Sequence, residues 1–217
     1  MTVEPKLEPR EQIYRWILHG LVGPAASRRA EQGTTLEWRR HVSENQRIAL
    51  HEAAHAVYGR SELRYEIVNL TIVPNKNVDA GRGKIMNGCC RHRAPAHGWT
   101  KIRRWFLRMR ASVVRFFRRT REKVETDQRK ALRYSFLFCE GNVTSLLAAR
   151  RPYRTFQRHA AKFVNENWVV IRCLADELEK HSTLDAKQIE RILSKPSLAV
   201  KPWIAPINCE PPSLRIQ

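Results

Sequence analysis

Apolar positions recur at helical spacing early in the chain, where Ile13, Trp16 and Ile17 mark a short docking helix over residues 9–20. The stretch GPAASRRAEQGTT (23–35) is small, polar and glycine-bearing, and reads as a linker. The pattern sharpens at Ser43. Ser43 and Gln46 have the S-x-x-Q spacing of a capping box, and the alanine-rich run behind them predicts a helix through Gly59. In ELRYEIVNLTIVP (62–74), Ile67, Leu70, Ile72 and Val73 sit among β-formers that end at Pro74. A strand is predicted there, followed by a turn in NKNVDAGRGK and room for a second strand at Ile85 and Met86.

Residues 98–133 differ in character. Lys and Arg number 13 against three acids over 101–133, and no Pro or Gly follows Gly98. Trp105, Met109, Val113 and Phe116 form one apolar stripe, so a basic amphipathic helix is predicted. A mostly apolar helix from Leu132 to Ala149, broken at Gly141, comes next, and beyond Pro152 the segment TFQRHAAKFVNENWVVIRCLADELEKH reads as one long helix. Ser182 and Asp185 are placed to cap a last short helix in STLDAKQIERIL. Pro196, Pro202, Pro206, Pro211 and Pro212 then punctuate an irregular tail that carries Trp203.

The balance of 40 Lys and Arg against 21 Asp and Glu, a formal +19 over 217 residues, favours an anionic partner without bearing on the fold. For the stripe at 101–121 three readings stand. It packs on the core with its arginines solvated, it lies on an anionic membrane surface, or it grips nucleic acid through phosphate contacts. The aromatic residues Trp105, Phe106, Phe116 and Phe117 tilt the choice toward membrane. Five cysteines without regular spacing suggest reduced thiols, and CCRHRAPAH, with Cys89, Cys90, His92 and His97, reads as a loop of free thiols rather than a zinc finger. With neither a signal-peptide pattern nor an apolar run near the roughly 20 residues of a membrane span, a cytoplasmic protein, at most peripheral at the membrane, is expected.

The chemistry-bearing feature is HEAAH at 51–55. On a helix, positions i and i+4 share a face, so His51 and His55 can offer two imidazole nitrogens to one Zn²⁺. Glu52, about 100° round the helix, falls beside such a metal rather than on it. There it is placed to act as general base and acid toward a metal-activated water and a leaving amine. The plain alternative is an alanine-rich helix with surface histidines.

RIALHEAAHAVYG resembles the active-site helix of the FtsH-type ATP-dependent zinc metalloproteases, where H-E-x-G-H is followed by A-V and a small residue. YEIVNLTIVPNKNVDAGRGKI is similar to that family's strand after the zinc helix, and VVIRCLADELEKHSTLDAKQIERIL to its closing helices. The resemblance covers roughly 44–86 and 130–193 and implies a zincin-like peptidase acting on polypeptides with Zn²⁺ as cofactor. Two features depart from it. No GxxxxGK[ST] phosphate loop is present, so any ATP-driven unfolding would come from a separate ATPase partner. The family's third zinc ligand, an aspartate on a later helix, would fall near Thr155–Gln157, where no carboxylate stands. His159 and Glu140 are the nearest substitutes, with Asp127 and Asp176 more remote.

The sequence thus predicts an α+β, mostly α-helical, zincin-like domain over 41–195 with a basic insertion at about 88–133. An N-terminal helical arm and linker (1–40) precede it, and a Pro-rich tail (196–217) follows. The expected function is that of a zinc metalloendopeptidase, with His51 and His55 on the metal and Glu52 catalytic. The alternative is a catalytically degenerate protease fold acting as an adaptor through its basic helix.

Overall fold

Ser43 starts the central helix as its spacing predicts. Its backbone is extended (φ −66°, ψ 158°), and its hydroxyl accepts the Gln46 N–H at 3.0 Å, satisfying one of the donors a helix start leaves orphaned. In the computed structural model, which describes residues 9–31, 42–73, 89–93, 127–138 and 146–201, this is the second of six α-helices among the described residues. They are α1 (Pro9–Glu31), α2 (Glu44–Glu62), α3 (Asp127–Phe138), α4 (Leu146–Glu166), α5 (Trp168–His181) and α6 (Ala186–Leu193). Strands β1 (Glu66–Thr71), β2 (Cys89–Arg93) and β3 (Thr183–Asp185) form a small antiparallel sheet in the order β2-β1-β3. The mostly helical α+β architecture expected from the sequence is what the structure has.

Helix α2 lies at the centre. From Ala53 through Gly59 every residue is buried, because α1 and α5 pack on it and the sheet closes a further side. Small residues make this possible. Ala49, Ala53, Ala54 and Ala56 let neighbouring backbones approach, while Leu50, Val57 and Tyr58 fill the space between with Phe163, Ile171 and Leu174. In β1, Ile67 and Leu70 are both buried although three positions apart. The register slips between Ile67 and Asn69, and the extra residue, Val68, is turned to solvent.

Four elements differ from the sequence reading. The predicted linker at 23–35 begins inside α1, which continues through Pro24 to Glu31. Gly23, Pro24, Ala25, Ala26 and Ala30 are buried, so the small residues mark close helix packing rather than a flexible joint. The helix docks on the core, as a docking helix over 9–20 implies, and does so over its whole length. α1 packs on α2, α3 and α4, and its Arg15 binds the backbone carbonyl and the carboxylate of buried Glu62. The predicted thiol loop is strand β2 in its first five residues, Cys90 facing Leu70 across the sheet. β2 and the first half of α3 fall within the predicted insertion at 88–133, yet both elements pack against the core. The predicted second strand at 85–86, the basic helix at 101–121, Glu140 and the tail beyond Lys201 lie outside the described residues.

The long helix predicted after Pro152 starts earlier, at Leu146, and divides at Asn167. Asn167 is buried and uses its side chain to fasten the end of the described chain. Its Nδ2 donates to the Phe163 and Lys201 carbonyls at 3.1 and 3.2 Å, and its Oδ1 accepts from Lys201 N–H at 2.7 Å. At the other end of α5, Ser182 takes a left-handed conformation (φ 59°) and turns the chain into β3, which pairs with β1. Asp185 then caps α6 in a reciprocal box: Gln188 N–H donates to Asp185 Oδ1 at 2.8 Å, and Asp185 N–H to Gln188 Oε1 at 2.9 Å. Asp185→Ala is expected to cost about 1 kcal/mol by the usual value of such a cap, read as a lowered urea midpoint at unchanged m-value.

Candidate metal centre

His51 and His55 stand one turn apart on the buried part of α2, as the i, i+4 spacing requires, with their Nε2 atoms 3.2 Å apart. The third member of the group comes from the first residue of α3. Asp127 Oδ2 lies 3.3 Å from His51 Nε2 and 3.3 Å from His55 Nε2. Among the described residues these three are the group whose ligand atoms converge closely enough to share one cation. Asp127, one of the two remoter candidates, is therefore the carboxylate that lies beside the two histidines among the described residues, which do not include Glu140. His159 is engaged elsewhere: its Nδ1 is 2.7 Å from the Tyr14 hydroxyl, on the α1–α4 contact. Asp176 faces Arg172 on α5 at 3.9 Å.

The donor set fits a tetrahedral metal ion. Bonds of about 2.0–2.1 Å at tetrahedral angles separate neighbouring ligand atoms by about 3.3–3.4 Å, and the three separations here are 3.2, 3.3 and 3.3 Å. Hydrogen bonding alone accounts for the triangle less well. If both Nε2 atoms carried protons toward the one carboxylate oxygen, two N–H groups would crowd each other at 3.2 Å.

Helix α1 makes room for this triangle. A Cβ at Gly23 would stand 2.5 Å from His55 Nε2 and 2.7 Å from His51 Nε2, where nothing larger than hydrogen fits. One turn earlier, a Cβ at Gly20 would meet the Asp127 carbonyl oxygen at 2.9 Å and Ala131 Cβ at 3.2 Å. A helix-interior glycine costs roughly 1 kcal/mol relative to alanine. Both positions pay it for close approach, Gly20 to α3 and Gly23 to the histidines. Ser27, a turn past Gly23, has its hydroxyl 3.4 Å from His51 Nδ1.

Electrostatics bind the group further. Burial pushes the Asp127 carboxyl up, but hydrogen bonds to His51 and His55, with the charges of His55 and Lys130, hold it far below the usual carboxylate range. Lys130 Nζ reaches Asp127 Oδ1 at 3.5 Å. Burial opposes the charged form of His55, yet Asp127 and Glu52 together raise its pKa above the ordinary 6.5. Glu52 is half-buried beside the histidines. Burial pushes its carboxyl above the usual range, against the pull of His55, His51 and a hydrogen bond from the backbone N–H of Cys90.

The sequence reading singled out His51, Glu52 and His55, named Asp127 only as a remote candidate, and did not pick out Gly23 or Ser27. Asp127 carries no local signal, since its partners lie 76 and 72 residues earlier. Gly23 and Ser27 fell in the supposed linker, although His19, Gly23 and Ser27 share the four-residue spacing of the histidines themselves. No family model, curated protein or solved structure matches the chain. None of the described helices is long and apolar enough to cross a membrane.

Proposed function

We propose that the chain is a zinc-dependent metallopeptidase with a zincin-like site, in which His51, His55 and Asp127 hold Zn²⁺ and Glu52 moves the proton. The observation that carries this reading is the convergence of two imidazole nitrogens and one carboxylate oxygen at tetrahedral spacing beside a glutamate. Three protein donors leave one position for water or substrate, the mark of a catalytic rather than a structural zinc. Bound there, zinc supplies Lewis acidity toward water and the scissile carbonyl. The remaining work falls to the chain. The Glu52 carboxylate accepts a proton from the attacking water and returns it to the leaving amine nitrogen. Its raised pKa brings it closer to the pH at which both transfers must occur. The peptide substrate is inferred from the FtsH-like sequence around α2.

The test has two stages. Purified protein is expected to hold about one zinc per chain, lost in His51→Ala, His55→Ala and Asp127→Ala; no zinc in the wild type sinks the reading. Glu52→Gln is then expected to keep the metal while hydrolysis of casein falls by at least about 100-fold, the lower end of what a general base contributes. Zinc without cleavage by the wild type would favour the adaptor alternative.

A further inference from the structure

Helix α1 does more than clear space around the histidines. We propose that His19 and Ser27 are positioning residues that hold the imidazoles of His55 and His51 with Nε2 turned toward Asp127. The inference rests on the metal-site reading above and assigns its outer shell to a helix remote in sequence from HEAAH.

The geometry is that of two helices side by side. Residues 19, 23 and 27 lie on one face of α1 at successive turns. Ser27 meets His51 (Oγ to Nδ1, 3.4 Å), Gly23 meets both Nε2 atoms, and the His19 ring lies 4.8 Å from the His55 ring, centroid to centroid, at 53°. The order along α1 is the reverse of the order along α2, as it must be when the chains run in opposite senses. Each imidazole of the pair thus has its own polar neighbour on α1, one turn to either side of the glycine.

A ligating imidazole uses its deprotonated nitrogen, so the proton resides on the other one and needs an acceptor. For His51 that acceptor is the Ser27 hydroxyl. His55 is only 5% exposed, and its Nδ1 is buried with no hydrogen-bond partner among the described residues. An N–H so placed is costly to leave unsatisfied. His19 is the polar side chain against that ring, and it can accept from Nδ1–H after a small ring rotation or through one buried water. Packing alone does not ask for a histidine at this position. The ring sits among aromatic neighbours, 6.2 Å from Tyr58 and 5.9 Å from Tyr65, where phenylalanine would fill the same volume.

The experiment measures zinc affinity by chelator competition and the visible spectrum of the cobalt-substituted full chain, with unfolding of the metal-free protein as control. His19→Phe and Ser27→Ala are each expected to weaken zinc by about 10–100-fold, the usual effect of losing such a partner, and to shift the cobalt bands. His19→Gln and Ser27→Thr, which restore a polar group, are expected to recover most of the affinity. The loss of zinc affinity should exceed any change in metal-free unfolding. Wild-type affinity and an unshifted spectrum in both His19→Phe and Ser27→Ala would overturn the inference alone, with the metal site intact. Wild type binding no more zinc or cobalt than His51→Ala would overturn the metal reading and this inference with it. If His19→Phe fails to fold, Ser27→Ala against Ser27→Thr and His19→Gln against wild type decide the question.

Discussion

Gly23→Ala is expected to abolish metal binding while leaving the protein folded. The new methyl group would lie 2.5 Å from His55 Nε2 and 2.7 Å from His51 Nε2, so something must move. His55 is enclosed, with 6% of its side chain exposed, whereas His51, at 25%, has room to swing outward. Swinging His51 outward clears only its own contact, so the His55 tip must shift as well within its enclosure. That displacement disturbs two of the three proposed donors, so zinc affinity should fall by 100-fold or more, beyond the roughly 10–100-fold expected when a partner of a ligand is lost. The metal-free protein should gain up to about 1 kcal/mol from the better helix former, set against whatever the two displaced histidines cost. Gly20→Ala makes the contrast. Its methyl group meets a backbone carbonyl and the Cβ of Ala131, which cannot rotate away. Overpacking of that kind costs about 1–3 kcal/mol, so this variant should lose stability with or without zinc. Zinc titration and urea unfolding of both variants separate the two effects. A Gly23→Ala protein that binds zinc like the wild type would show that the imidazoles do not converge beneath α1.

That contrast also marks where the sequence was readable. The start of α2, the candidate ligand pair and Glu52 follow from local rules: a serine cap, a four-residue period, a known order of donor types. The same holds for β1 and for Asp185 at the start of α6. Elements whose identity depends on distant partners were not readable in this way. GLVGPAAS has the composition of a loop, and only burial against three other helices makes it helical. CCRHR becomes a strand because β1 offers it an antiparallel edge. Asn167 interrupts an unbroken apolar period because it binds the backbone of Lys201, 34 residues later. Asp127 belongs with these. A carboxylate in a strongly basic stretch looks like a surface counter-charge, and it becomes a candidate ligand only when Gly20 lets α3 dock against α1. The family resemblance pointed to an aspartate on a helix beyond residue 150, whereas the convergent carboxylate sits at the N-terminus of an earlier one.

The role of Asp127 can be tested through the pH dependence of stability as well as through metal content. In the metal-free protein its carboxyl is held far below the ordinary 3.8, so the stability it contributes is present above that value and lost as pH falls through the folded one. His55 is shifted the other way. Its contribution is fully present below the ordinary 6.5 and lost as pH rises through its raised folded value. Glu52, raised by burial, likewise favours the folded state less as pH rises. The metal-free protein should therefore unfold more readily at pH 8 than at pH 5.5. Zinc should reverse that trend, because it competes with protons for the imidazoles and binds more tightly as they are released. At a zinc concentration 1,000 times Kd the gain is about 4 kcal/mol, which makes the zinc-induced rise in Tm largest at pH 8. Asp127→Asn keeps the size of the side chain but loses its charge. In this variant the metal-free difference between pH 5.5 and 8 should shrink, since His55 has lost its main charged partner, and the zinc-induced rise should nearly vanish. Thermal unfolding at both pH values, with and without zinc, gives all four quantities for each protein. A full zinc response in Asp127→Asn would mean that the third donor lies elsewhere in the chain.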